Sequence, residues 1–259
     1  MNKKEWIPYI IALVALVIGA IYDYQITDAL YAPDHLVAIF FERIILLPLI
    51  FMVTIAMCMQ ARVKASLWYL LLGYASSVYV VFDGLHRFVK LHTIGLLICL
   101  GIALLLTLLC YLIIMKLPYR MVLQTHRFFL FYTCVFLTSV AITTIIKSGW
   151  GRIRYRDMND IREFCVWYQP CLRYGSTSFP SGHTTSFCAI LCFLQWNKEP
   201  SQRVGIGRYI IITILVIMMP VTRMMMGAHF LSDTAMGFII TYSCYLLYRN
   251  QFLRGGKRI

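Results

Sequence analysis

Three short polar stretches interrupt the apolar C-terminal half of the sequence, and the first of them is rich in cations. It reads KSGWGRIRYRD, from Lys147 to Asp157, and it places Lys147 and Arg154 seven positions apart. The glycines between these two residues let the backbone turn tightly, so that both side chains can face one anion. A solvated basic loop is the alternative interpretation of this stretch when it is considered alone.

The second polar stretch, TSFPSGHTTSF, runs from Thr177 to Phe187 and opens an apolar segment. Pro180 suits the first turn of a helix, and Gly182 lets a ligand approach the backbone closely. The free N–H groups at a helix N-terminus attract anions, Ser181 can add a hydroxyl donor, and His183 titrates near neutral pH. An ordinary helix start with a bystander histidine at the membrane interface is the alternative.

The third polar stretch, TRMMMGAHFLSD, runs from Thr222 to Asp233. His229 and Asp233 are four positions apart at the start of an apolar helix, so they share a helix face. A carboxylate in that position can hold the imidazole in one tautomer and strengthen its other nitrogen as a nucleophile or base. Arg223 adds a cation six positions earlier. A satisfied polar pair is the alternative, although ionisable residues at membrane depth are usually functional.

Together the three stretches supply the parts of a phosphate site: cations, a helix N-terminus and two histidines. Two histidines can divide a two-step phosphoryl transfer, in which one attacks phosphorus and the other protonates the leaving oxygen. The stretches contain no carboxylate cluster suited to Mg²⁺. We therefore expect the cations to stabilise the phosphoryl charge without a metal or any other cofactor.

The composition places this site in an integral membrane protein. The 259 residues are 60% hydrophobic and only 14% charged, whereas a soluble domain carries roughly a quarter charged residues. The net charge of +13 is explained by basic loops that orient membrane helices, so we expect no nucleic acid partner. Most of the nine cysteines lie in apolar runs, but Cys165 and Cys171 share a polar loop and could pair outside the cytoplasm.

The apolar segments predict an all-α, polytopic membrane helical bundle that fills residues 1–259 as a single integral membrane domain. A spanning helix needs about 20 mostly apolar residues. N-terminal spanning helices are expected within 1–125 and the catalytic helices within 126–248. The eight candidate spans are residues 6–24, 36–60, 66–83, 93–115, 126–147, 182–196, 207–223 and 229–248.

The distribution of basic residues predicts the orientation of these helices in the cell membrane. With both termini in the cytoplasm, the inner segments carry fourteen basic residues and only two acids, Glu5 and Glu199. All three polar stretches then lie at the extracytoplasmic face. That face keeps one dense cationic cluster, which needs a functional reason. Its members are Lys147, Arg152, Arg154, Arg156, Arg162, Arg173 and Arg223.

At the three polar stretches the sequence resembles the type 2 phosphatidic acid phosphatase family, a lipid phosphate phosphatase family that shares its site with vanadium haloperoxidases. The family pattern is Lys-x6-Arg-Pro, then Pro-Ser-Gly-His, then Ser-Arg-x5-His-x3-Asp. This chain has Lys147-x6-Arg154, then Pro-Ser-Gly-His at 180–183, then Arg223-x5-His229-x3-Asp233. Tyr155 replaces the family's proline and Thr222 replaces its serine, and neither change removes a charged or proton-transferring group. The chain looks like a bacterial-type membrane member.

The resemblance implies a role for each motif residue, independence from metal, and a core of six spanning helices. The eight candidate spans then imply either two additional N-terminal helices or one miscounted pair. His229 would attack the phosphate and become phosphohistidine, while Asp233 orients it. His183 would protonate the leaving oxygen and then activate water. The remaining motif residues would bind the phosphoryl oxygens: Lys147, Arg154, Ser181, Gly182 and Arg223.

The function expected from these observations is hydrolysis of a membrane lipid phosphate or pyrophosphate at the extracytoplasmic leaflet, within phospholipid metabolism of the cell envelope. Undecaprenyl pyrophosphate, phosphatidylglycerol phosphate and phosphatidic acid are candidate substrates. Two alternatives stay open: a lipid-linked phosphotransferase that uses the same phosphohistidine, and a non-catalytic lipid-binding or transport protein. The sequence selects neither the lipid nor the oligomeric state.

Overall fold

The chain forms helices joined by irregular connections, and among the described residues the longest connection covers residues 151–172 and 175–181. The computed structural model describes residues 5–86, 93–172, 175–196 and 204–254, and these contain no strand, which confirms the all-α prediction. The helices are α1 (Ile7–Leu30), α2 (Leu36–Arg43), α3 (Leu46–Lys64), α4 (Trp68–His86), α5 (Thr93–Lys116), α6 (Tyr119–Trp150), α7 (Gly182–Cys188), α8 (Ile206–Met225) and α9 (Leu231–Arg254).

Several residues used in the sequence argument lie outside the described residues. They are Lys3, Lys4, Arg173, Lys198, Glu199, Arg203, Lys257 and Arg258.

Six helical segments of the described chain are long and apolar enough to cross a membrane, so the protein is a multi-pass membrane protein. They are Ile7–Leu30, Leu36–Lys64, Trp68–His86, Thr93–Lys116, Tyr119–Asp157 and Ile206–Met225. All eight predicted segments are helical, but two do not meet this criterion. The sixth is seven residues of α7 followed by seven residues of 3₁₀-helix, Ala189–Gln195. The eighth, α9, has 24 residues but a more polar composition.

The chain divides into two compact units, and the three polar stretches all belong to one of them. This unit contains residues 1–42 and 135–247, and the other contains residues 43–134 and 248–259. In the second unit α3, α4 and α5 are joined by buried hydroxyl groups, since Ser77 Oγ lies 3.1 Å from Thr54 Oγ1 and accepts from Thr107 Oγ1 at 2.9 Å. Such bonds hold helices together where lipid offers no competing partner.

In the first unit α1 lies against α9 at very close range. A Cβ built on Gly19 would lie 2.9 Å from Cβ of Ser232, so only glycine permits this approach. Near the other end of α1, Tyr9 Oη lies 2.8 Å from Oγ of Ser243. The first helix of the chain is therefore part of the same unit as the predicted catalytic helices.

The loop after α6 turns back on itself at Gly151, which ends the helix in the left-handed region (φ +71°). A Cβ at this position would lie 2.6 Å from the carbonyl oxygen of Cys171. The N–H of Cys171 donates to the carbonyl of Trp150 at 2.6 Å, and Cys171 forms a disulfide with Cys165. The pairing that the sequence left open is thus present in the structure.

Replacing Gly151 by alanine should destabilise the protein for two reasons. The left-handed backbone conformation is unfavourable for alanine, and the added Cβ would clash with the carbonyl oxygen of Cys171. We expect a loss of at least about 1 kcal/mol in the free energy of unfolding. Gly149→Ala is the matched control, since Gly149 lies in α6 with no atom within 4 Å of an added Cβ. Thermal unfolding of both variants in the same detergent measures the difference, and equal midpoints would contradict this account of the turn.

Candidate active site

The structure brings the three polar stretches together in the first unit. Lys147 lies in the last turn of α6, and its Nζ is 3.6 Å from the position of a Cβ built on Gly182. The N–H of Ser181 donates to the carbonyl of Asp233 at 2.9 Å, which ties the start of α7 to the first turn of α9. A lysine, a helix start and the proposed His–Asp pair therefore share one small region.

His229 is buried in the turn between α8 and α9, two residues before α9 begins. Its Nδ1 lies 3.7 Å from Oδ2 of Asp233, close enough for an electrostatic interaction but longer than a hydrogen bond. Burial lowers the pKa of His229 to about 3; Asp233 opposes this shift, while the positive charges of Lys147 and Arg223 add to it. The imidazole is therefore neutral at physiological pH, as a nucleophile must be.

Asp233 is held by partners other than the histidine. Its Oδ1 accepts from Nη1 of Arg152 at 2.5 Å, and its Oδ2 accepts from Oγ of Ser178 at 2.5 Å. The N–H of Phe230 also donates to Oδ2, at 2.9 Å. Three donors from the loop and the α8–α9 turn thus fix the carboxylate that faces His229.

Arg152, which the sequence placed only in the cationic cluster, is fully buried beside Asp233. Its Nη2 lies 2.9 Å from Oδ2 of Asp23 in α1, and its Nε donates to the carbonyl of Cys165 at 2.8 Å. Sequence reasoning missed both Arg152 and Asp23 as site residues. The signal for Asp23 is an acid within an otherwise apolar helix, where an ionisable group is usually functional.

Glu42, at the end of α2, lies beside two motif residues that were predicted from sequence. Its Oε1 is 3.9 Å from Nη2 of the fully buried Arg223, and it accepts from Nη1 of Arg156 at 3.0 Å. The main-chain oxygen of Glu42 lies 3.3 Å from Nε2 of His183. The sequence analysis did not predict Glu42 as a site residue. The feature of the sequence that could have indicated it is the position of an acidic residue within an apolar run.

Arg154, another of the predicted phosphate-binding cations, is partly exposed. Its side chain is 30% exposed, and its Nη2 donates to Oγ1 of Thr177 at 3.0 Å. This bond joins the first polar stretch to the second. The loop is also joined to the third stretch, because the N–H of Arg156 donates to the carbonyl of Gly227 at 3.0 Å.

The two departures from the family pattern are both accommodated by hydrogen bonds. Tyr155 donates its hydroxyl to Asp28, and its ring centroid lies 5.1 Å from that of Tyr31. The hydroxyl of Thr222 donates to the carbonyl of Met219 at 2.8 Å, within α8.

The start of α7 differs in detail from the predicted one. Ser181 is the N-cap, so Pro180 precedes the helix rather than occupying its first turn. The hydroxyl oxygen of Ser181 accepts from the N–H of Thr184 at 3.3 Å and from its hydroxyl at 3.0 Å. These bonds use the oxygen of Ser181 and leave its hydrogen available to donate.

The described residues include no group of three or more His, Cys, Asp or Glu side chains that could hold a metal ion. The candidate site contains two histidines, four nearby cations and the Asp233 carboxylate. Histidines, cations and an anchored carboxylate in one region are the groups that metal-independent or metal-dependent phosphoryl transfer can use for proton transfer and charge stabilisation.

Residues 128–256 match the family model of the PAP2 superfamily, and the chain belongs to that superfamily. The matched region contains all three polar stretches. Comparison with curated proteins gives no match, and comparison with solved structures gives none either. Membership in the superfamily supports phosphatase activity on a phosphate ester.

Proposed function

We propose that the protein is a membrane phosphatase that hydrolyses a lipid phosphate or lipid pyrophosphate headgroup through a phosphohistidine intermediate. One observation carries this proposal: the imidazole of His229 is buried with Nδ1 3.7 Å from Oδ2 of Asp233, and the charges of Lys147 and Arg223 are near enough to lower its pKa. A neutral nucleophile surrounded by fixed cations suits attack on an anionic phosphoryl group, because the cations take up its charge.

In the first step, Nε2 of His229 attacks phosphorus while Nδ1 faces Asp233. The P–N bond forms as the bond from phosphorus to the leaving oxygen breaks. His183 donates a proton to that oxygen, which leaves as an alcohol or as a lipid phosphate. Lys147, Arg154 and Arg223 bind the phosphoryl oxygens, together with the Ser181 hydroxyl and the Gly182 N–H.

In the second step, water replaces histidine on phosphorus. His183, now neutral, takes a proton from the water as its oxygen attacks, the P–N bond breaks, and inorganic phosphate is released with His229 restored. A lipid-linked phosphotransferase would differ only here, because an acceptor hydroxyl would take the place of water. Product analysis with and without an added lipid or sugar acceptor separates the two activities.

The proposal places the site at the extracytoplasmic face of the cell membrane, with both termini in the cytoplasm. The excess of basic residues on the inner segments supports this orientation. The disulfide between Cys165 and Cys171 adds support, because it lies in the loop that carries the cations and disulfides persist in oxidising compartments. A substrate whose acyl or prenyl tail stays in the bilayer could reach a site at this interface.

Substitution of His229 by alanine should abolish turnover while the protein still inserts and folds. Loss of a covalent nucleophile lowers kcat by at least about a thousandfold. Phosphate release from purified phosphatidic acid, phosphatidylglycerol phosphate and undecaprenyl pyrophosphate measures the effect and ranks the substrates. His126→Ala is the control, since His126 lies in the second unit, and it should retain wild-type activity. Near-normal release by folded His229→Ala would remove His229 from the mechanism.

Vanadate should inhibit the enzyme strongly, and EDTA should not inhibit it. Vanadate adopts the trigonal bipyramidal geometry of phosphoryl transfer, and such transition-state mimics bind at least about a hundredfold tighter than substrate. Initial rates across a vanadate series, with and without EDTA, provide the measurement. Loss of activity in EDTA that added Mg²⁺ restores would show that turnover needs a metal.

Cysteine labelling on intact cells should place residue 159 outside and residue 205 inside. Asn159 is exposed in the loop that carries the cations, and Gly205 lies at the start of α8 with open space around it. Each position is changed to cysteine in a background lacking Cys165 and Cys171, and a membrane-impermeant thiol reagent is applied. We expect labelling of Asn159→Cys alone. Labelling of Gly205→Cys alone would show that the topology is the reverse of the proposed one, and it would exclude an outer-leaflet substrate.

A further inference from the structure

A set of three buried charges lies behind the proposed nucleophile, and the phosphate chemistry described above uses only one of them, Asp233. The set comprises Asp23 in α1, Arg152 in the loop and Asp233 in α9. The side chains of all three are 0% exposed. One guanidinium joins both carboxylates, at 2.9 Å to Asp23 and 2.5 Å to Asp233. This set is called the buried charge triad below.

Ser232, which carries no charge, forms hydrogen bonds to two members of the buried charge triad. Its N–H donates to Oδ1 of Asp23 at 3.0 Å, and its hydroxyl donates to Oδ2 of the same residue. The same hydroxyl oxygen accepts from Nη1 of Arg152 at 2.8 Å. The two carboxylates are therefore fixed relative to each other by their positions on α1 and α9 and by the side chain between them.

Aromatic rings separate the triad's guanidinium from water. The Cζ atom of Arg152 lies 4.3 Å from the ring centroid of Phe230 and 5.4 Å from that of Phe164. Charges in such a dry environment interact much more strongly than they would at the surface. The planar guanidinium of arginine can donate to two carboxylates at once in a fixed geometry. The ammonium of lysine, on its flexible side chain, does not fix two carboxylates in this way.

The charge balance of the triad indicates what Asp23 contributes. A single Arg152–Asp233 pair would be neutral, and the guanidinium would neutralise the carboxylate that faces His229. When both carboxylates are ionised, sharing one guanidinium leaves the triad with a net charge of one negative unit. Asp23 therefore offsets the charge of Arg152, so that Asp233 stays available to the imidazole.

We propose that Asp23 and Arg152 are positioning residues for phosphoryl transfer, which act through Asp233 and do not touch the substrate. Arg152 fixes Oδ1 of Asp233, and Asp23 preserves the negative charge of that carboxylate. When Nε2 of neutral His229 bonds to phosphorus, the ring acquires positive charge, and the net negative triad stabilises that charge. This inference rests on the proposed function, because it assigns the triad to the same phosphohistidine step.

The first experiment measures steady-state hydrolysis of phosphatidic acid in detergent micelles by the full-length protein and its Asp23→Asn variant. Asparagine keeps the shape of aspartate and removes its charge. We expect kcat to fall about ten- to hundredfold, the usual scale for losing a partner that orients a functional histidine. KM should stay within about threefold, because the substrate contacts are unchanged.

Thr27→Val is the matched control for packing in α1. Thr27 lies one turn after Asp23, is fully buried, and its hydroxyl has no hydrogen-bond partner among the described residues. This variant should keep wild-type kcat. An equal loss of kcat in Thr27→Val and Asp23→Asn would show that α1 packing alone is being measured, and it would overturn the inference.

A double-mutant cycle tests whether Asp23 acts through Arg152. Adding Asp23→Asn to Arg152→Gln should lower kcat no further than Arg152→Gln alone, whereas independent structural effects would multiply. If Asp23→Asn or Arg152→Gln fails to fold, Ser232→Ala replaces it, since it keeps all three charges and removes only the bridging hydroxyl. A reduced kcat with unchanged KM supports the inference in that variant, and wild-type kcat overturns it.

The outcomes also separate this inference from the proposed function. Wild-type turnover that is lost in His229→Ala but intact in folded Asp23→Asn would overturn the role of the triad alone. A folded wild-type protein that releases phosphate from none of the lipid phosphates would overturn the proposed function and the inference with it.

Discussion

The ion pairs of Arg152 with Asp23 and Asp233 are the interaction on which the order of the site depends. They join the first helix, the loop after α6 and the first turn of α9 by charges that water does not reach. Removing one partner would leave a buried charge without compensation, which is strongly unfavourable. The packing of α1 therefore determines the position of Asp233 as much as the motif containing His229 and Asp233 does. Through Asp233 it also determines the surroundings of His229.

The loop can supply this buried arginine because it is folded back by several independent contacts. Gly151 permits the turn that ends α6, and the disulfide between Cys165 and Cys171 closes the middle of the loop. The N–H of Ser178 donates to the carbonyl of Arg152 at 2.9 Å, and the Ser178 hydroxyl binds Asp233. Ser178 thus binds both the backbone of Arg152 and the carboxylate of Asp233, which is the ion-pair partner of Arg152.

The sequence predicted the helices and the motif residues because both depend on local patterns. Apolar runs define helices by length, and Pro-Ser-Gly-His or His-x3-Asp are short enough to be recognised by spacing. The partners of those residues depend on long-range packing instead: Asp23 lies 210 positions before Asp233, and Glu42 lies 141 positions before His183. A run of apolar residues also does not predict where an α-helix gives way to 3₁₀-helix, as α7 does after Cys188.

The 3.7 Å separation between His229 and Asp233 follows from how the carboxylate is already bound. Oδ2 of Asp233 holds Ser178 and the Phe230 N–H, while Oδ1 holds Arg152, so the carboxylate is the immobile member of the pair. A carboxylate accepts about four hydrogen bonds, which leaves capacity for the N–H of the imidazole. Phosphorylation at Nε2 would give the ring a positive charge and draw its Nδ1–H toward the Asp233 carboxylate. Catalytic hydrogen bonds commonly tighten in this way along the reaction. In the proposed reaction the histidine would be the residue that moves, because three donors hold the aspartate.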